Sequence, residues 1–99
     1  MPAPSVPADA ITVMTRAATR GLIQYMVKNP NSYYGEIREA TEAPVSSLTR
    51  DLRLLESVGV VHTDVDHPLG SRRGRAPRYR VDVQRVTDLL AELKNQLLG

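Results

Sequence analysis

The stretch APVSSLTRDLRLLESVGVV, residues 43–61, decides how the rest of the chain is read. Pro44 stands where a first helical residue belongs, because its missing N–H costs nothing there. Val45, Leu48, Leu52 and Leu55 then recur at steps of three, four and three, which is one face of a helix running from Pro44 to Val58. Gly59 comes next, in the place where a left-handed residue commonly closes a helix. At about 100° per residue, Ser46, Thr49, Arg50 and Arg53 fall within a narrow arc away from that stripe. The arc is small, polar and cationic. It suits a helix whose backbone approaches a DNA groove closely, since arginine pairs bidentately with guanine and serine or threonine serves bases or phosphates. A plain solvated helix face has a similar composition, so the flanking elements must decide. Leu54 falls off the apolar stripe, and spacing alone gives it no neighbour.

Upstream, residues 1–8 carry three prolines and little to bury, the composition of a mobile tail. Asp9 is placed to cap a first helix. Ile11, Met14, Ala18, Leu22 and Met26 recur at helical steps, predicting that helix from Ile11 to Lys28 with Gly21 as its weak point. Asn29-Pro30-Asn31 stops it. Ser32 is suited to cap a short second helix reaching about Thr41, with Ile37 and Ala40 turned inward. A short helix joined to a second by a few residues is the arrangement of a helix-turn-helix.

Downstream of Gly59 the period changes. Val61, Thr63 and Val65 alternate with His62, Asp64 and Asp66, as in a strand. His67 to Pro77 holds two glycines and two prolines and reads as a loop, after which Tyr79 and Val81 alternate with Arg78, Arg80 and Asp82. The two strands predict a β-hairpin with a long basic tip. From Val83 the helical period returns through Val86, Leu90, Leu93 and Leu97, two heptads of coiled-coil spacing, and Leu89 and Leu98 widen the stripe. The predicted class is therefore mainly α (α+β), with residues 9–82 as one unit and 83–99 as a terminal helix suited to pair two chains. Ile11, Val13 and Met14 are expected to join that interface.

At 99 residues, with 41% apolar and 24% charged side chains, the chain is one small soluble-type domain. It has no cysteine, which excludes disulfides, thiolate metal sites and cysteine nucleophiles. No apolar run approaches a membrane span and the N-terminus lacks a signal pattern, so a cytoplasmic location is expected. Net charge is only +2, yet the five arginines at 72, 73, 75, 78 and 80 have no acid among them, leaving the rest net acidic. A concentrated positive segment is an electrostatic footprint for a polyanion.

Taken in order, TRGLIQYMVKN (19–29), YYGEIREATEA (33–43), residues 43–61 and GSRRGRAPRYRVD (70–82) resemble winged helix-turn-helix regulators. The likeness is to the ArsR and MarR-like groups of bacterial transcription factors, and it spans about residues 15 to 98. It implies a two-stranded β-hairpin wing, a C-terminal dimerisation helix and a homodimer that sets two recognition helices in successive major grooves. Carried over by position, Ser46, Ser47, Thr49, Arg50 and Arg53 face the major groove, Arg72, Arg73, Arg75 and Arg78 form the basic wing, and Val83, Val86, Leu90, Leu93 and Leu97 form the dimer seam. Arg73-Gly74-Arg75-Ala76-Pro77 is also similar to an AT-hook core, from which Ala76 departs; an inserted arginine favours a narrow A·T-rich minor groove. The expected function is sequence-specific binding of double-stranded DNA by a nucleoid-associated regulator, most simply a repressor. The alternatives are a DNA-bending accessory factor of excisionase or partition type, and a winged-helix protein–protein module.

Other chemistries fit less well. His62, Asp64, Asp66 and His67 are metal-type ligands, but a solvated strand face accounts for them, and neither a metal nor a cofactor is expected. No base, nucleophile and orienting group are spaced to converge, so the chain does not read as an enzyme. Glu36, Glu39 and Glu42 read as solvent charges on the short helix. Tyr79 reads as core, and Tyr33 and Tyr34 as packing residues within reach of a phosphate.

Overall fold

The computed structural model of the chain describes residues 8–64 and 76–99. Five helices, α1 (Ala8–Thr15), α2 (Ala17–Lys28), α3 (Tyr34–Thr41), α4 (Val45–Ser57) and α5 (Val83–Leu98), surround a small antiparallel sheet. Its strands are β1 (Ser32–Tyr33), β2 (Val61–Thr63) and β3 (Arg78–Val81), in the order β1-β3-β2. The class is α+β and mainly helical.

The core draws on every helix. Ala10, Met14, Leu22, Met26, Ile37, Leu48, Leu52, Leu55 and Leu89 are buried together with Val60, Val61 and Tyr79 of the sheet region. Each buried leucine, isoleucine, valine or methionine among them contributes roughly 1.5–3 kcal/mol on leaving water. The helical period expected from Ile11 to Lys28 is present, but it breaks at Arg16, the extended residue before α2, and not at Gly21. Buried Thr19 ties the two pieces, because its hydroxyl donates to the carbonyls of Val13 and Arg16. Ala18 is exposed, so Thr19 takes the inward place that spacing assigned to Ala18. Asp9 lies inside α1 and does not precede it, and Ala8 is already helical; the remainder of the expected tail, residues 1–7, lies outside the described residues. Ile11, Val13 and Met14 are buried in the chain's own core, which corrects their expected place at a dimer interface.

The hairpin expectation needs a third strand. Ser32 and Tyr33 pair with Tyr79 and Arg78, so Ser32 belongs to β1 and is not the cap of α3. Its hydroxyl donates to the Asn29 carbonyl at 2.6 Å, and the start of α3 is closed by Glu36, which accepts from the Tyr33 N–H at 2.8 Å. Val61, His62 and Thr63 pair with Val81, Arg80 and Tyr79. The inner face of the sheet thus carries Ser32, Val61 and Tyr79, and the outer face Tyr33, His62, Arg78 and Arg80. Val65 lies outside the described residues, and β2 ends at Thr63.

Gly59 closes α4 as expected. Its φ is +82°, its N–H donates to the Glu56 carbonyl at 3.0 Å, and the Val60 N–H reaches back to the Leu55 carbonyl at 3.0 Å. This pair of bonds is the Schellman motif, which needs a left-handed residue at its centre. The Asp82 side chain caps α5 through the Arg85 N–H at 3.0 Å.

Candidate nucleic-acid interface

α4 buries Leu48, Asp51, Leu52 and Leu55 and turns its other side outward. Pro44 serves as its N-cap, one residue earlier than the first-turn place expected of it. Val45, expected in the core stripe, is 49% exposed, and Ala40 of α3 is exposed as well; both sit at the solvent edge of the α3–α4 turn. Ser46, Thr49, Arg50 and Arg53 line one shallow hollow together with Leu54 and Ser57. Leu54 thus finds its place: half-buried, it forms the apolar floor of that hollow while packing on the core. Ser47 is half-buried on the other flank, in a second hollow beside Ala17, Gly21 and Pro44. It is therefore separated from Ser46, Thr49 and Arg53, although Arg50 reaches both hollows.

Thr49 is not free to turn. Its Oγ1 lies 2.9 Å from the Tyr34 hydroxyl, which is also 3.1 Å from the Val45 carbonyl. Tyr34 thus braces the first turn of α4 from α3, a packing role in keeping with its expected one. Arg53 borders the apolar cleft between α4 and the sheet, with Leu52, Pro77 and Tyr79.

Two cations share an acid on the opposite flank. Asp51 has a side chain only 3% exposed, and its Oδ1 receives Arg16 Nη2 at 3.1 Å and Arg50 Nε at 3.4 Å. A buried carboxylate needs such partners, because an isolated one would carry a large desolvation cost. Sequence reasoning missed this group, although a signal existed: Asp51 sits between Leu48 and Leu55 at steps of three and four, on the core stripe. An acid at that spacing requires a cation from another element.

On the sheet, Arg78 lies over the Tyr33 ring, 5.2 Å from its centre, and its Nε is 3.8 Å from Asp64. The Arg78 N–H also donates to Asp64 Oδ1 at 2.9 Å, closing the base of the hairpin. Arg72, Arg73 and Arg75, the expected wing tip, lie outside the described residues. So do Asp66 and His67, while His62 Nε2 sits 2.9 Å from Asp82 Oδ2. The Arg85 N–H and then His62 hold the Asp82 carboxyl below its ordinary value. Among the described residues no group of three histidines, cysteines or acids is placed to hold a metal ion, and no helix is long and apolar enough to cross a membrane.

The expected dimer seam divides in two. Val86 and Leu93 pack against the chain's own core alongside buried Leu89. Val83, Leu90 and Leu97 are 59%, 51% and 72% exposed.

The chain matches no protein-family model and no curated protein sequence.

Proposed function

We propose that the chain is a winged helix-turn-helix protein that binds double-stranded DNA as a homodimeric transcription regulator, most simply a repressor on the nucleoid. In this reading α3 and α4 are the helix-turn-helix, α4 enters the major groove, and β2 and β3 carry the wing. The observation behind it is the outer face of α4, where Ser46, Thr49, Arg50 and Arg53 share one solvent-facing hollow on a helix anchored by four buried residues. Small hydroxyl side chains beside arginines, on a rigid element, are what base-edge recognition requires. The strand order supports the same architecture, since β1 before α3 braces β3 and so fixes the hairpin against the helices. Val83, Leu90 and Leu97 on α5 offer a second copy an apolar stripe, and a two-fold pair would read half-sites one helical turn apart, about 34–36 Å.

Selection of preferred duplexes from a random pool, followed by gel-shift titration, tests this directly. Arg53→Ala is expected to lose about 1–3 kcal/mol on the selected site and less on random DNA. Absence of binding to any duplex at low salt ends the reading.

A further inference from the structure

We infer that Arg16 and Arg50, bracketing Asp51, form a clamp for a backbone phosphate of the DNA, on the flank of α4 away from the sheet. The inference rests on the DNA-binding reading and gives that site a residue from outside the helix-turn-helix. Arg16 stands at the joint between α1 and α2, 35 positions before Asp51, and only the fold brings it to α4. Both guanidiniums address one oxygen, Asp51 Oδ1, at 3.1 and 3.4 Å, so the two cations converge on a single spot. The carboxylate beneath them is 3% exposed, whereas Arg16 and Arg50 are 37% and 62% exposed. An incoming anion therefore meets the two cations and not the acid that holds them. Within this trio two positive charges over one negative leave a surplus of one, with Glu42 a further acid lining the same hollow. A guanidinium has five N–H donors, of which the bond to Asp51 occupies few.

The surroundings suit a nucleic-acid strand. Beside Arg50 and Asp51 the surface is lined by Ala17, Gly21, Ala43, Pro44 and Ser47, small side chains that allow a sugar–phosphate chain to lie close. It is also lined by the exposed acid Glu42, whose side chain must point to solvent when a strand docks. By helical position, Arg50 stands at the edge of the outward arc of α4 nearest Ser47, about 60° round from Arg53. A helix lying in a major groove has a phosphate backbone on each side. The sheet side is served by the hairpin, and the far side by Arg16 and Arg50. Arg50 is then a backbone contact, which leaves Ser46, Thr49 and Arg53 to face the bases. Asp51 is a positioning residue.

Fluorescence anisotropy with a mixed-sequence duplex, titrated at several potassium chloride concentrations, reads the clamp. Arg16→Gln keeps a donor for Asp51 but loses the charge. It is expected to weaken binding roughly tenfold at about 0.1 M salt, equally on all sequences, and to reduce the log–log salt slope by about 0.9, one phosphate's worth. Arg16→Lys is expected to restore the slope. Asp51→Asn removes a negative charge near DNA, so simple electrostatics predicts tighter binding; positioning predicts weaker binding. In the wild-type protein, bound duplex is expected to protect Arg16 from phenylglyoxal, read by mass spectrometry, which covers the case of a variant that does not fold. An unchanged slope in folded Arg16→Gln, tighter binding by Asp51→Asn, or full Arg16 reactivity in the complex overturns the clamp while leaving DNA binding intact. No binding by the wild type at low salt overturns both.

Discussion

α4 and α5 are both amphipathic, yet the chain treats them differently. α4 buries three leucines and one paired acid, and its outward face is built of hydroxyls and arginines around a half-buried leucine. α5 buries Leu89, rests Val86 and Leu93 on the core, and leaves Val83, Leu90, Leu97 and Leu98 largely in water. The difference teaches what each helix lacks. A single copy of the chain satisfies the apolar face of α4 and leaves its polar face for a polar partner. The apolar face of α5 is wider than the core covers, and its exposed leucines are the surface on which the proposed pairing of two copies depends.

The comparison breaks most visibly in the core. Leu48→Ala in α4 and Leu89→Ala in α5 are each expected to cost about 2–5 kcal/mol in urea unfolding, as both side chains are fully buried. A small loss at Leu89 would mean that α5 is a detachable arm, and the contrast between the helices would fail. Next comes the joint between them. Gly59→Ala is expected to cost about 1–2 kcal/mol, because φ is +82° and an added Cβ would lie 3.3 Å from Arg85 Nε. Thermal unfolding by circular dichroism measures it, and no loss would show that the turn can relax.

A pH series probes the start of α5. Asp82 has a lowered folded-state pKa, so its contribution is present above the ordinary aspartate range and disappears as pH falls through the lowered value. Wild type is expected to be more stable than Asp82→Ala near neutrality, and the two stability curves to converge in acid. Parallel curves would assign the cap's effect to something other than this carboxylate. The smallest effect belongs to the outer leucines. With Leu90→Ser and Leu97→Ser together, unfolding at dilute concentration is expected to change by less than about 1 kcal/mol, while sedimentation at tens of micromolar shifts from dimer to monomer. A wild-type chain that sediments as a monomer there removes the apolar partner from the comparison.

These two helices also mark how far the sequence could be read. α4 was legible because a three–four period, a proline at one end and a glycine at the other all agree. Its outward residues were legible for the same reason, apart from Ser47, which sits at the margin of the arc. α5 was legible as a helix but not as a surface: a stripe spanning Val83 to Leu98 does not say which side meets its own core, and Leu89, assigned to the edge, became the anchor. β1 is only two residues long, too short to show any alternation, and exists because β3 supplies its partner from the far side of the hairpin. The break at Arg16 was hidden by an apolar period that continues across it. Arg16 and Asp51 became a pair only once α1, α2 and α4 were packed.

The turn after α4 joins the two helices in one further respect. Arg85 Nε donates to the Val58 carbonyl at 3.0 Å, and the Asp82 N–H donates to the Val60 carbonyl at 2.8 Å. The last turn of α4 and the first turn of α5 are thus stitched by bonds from both backbone and side chain, next to a glycine with little room to spare. These bonds fix where α5 starts relative to the end of α4, so the far end of α5, about 24 Å away by helix length, has its direction set at the same turn that closes α4.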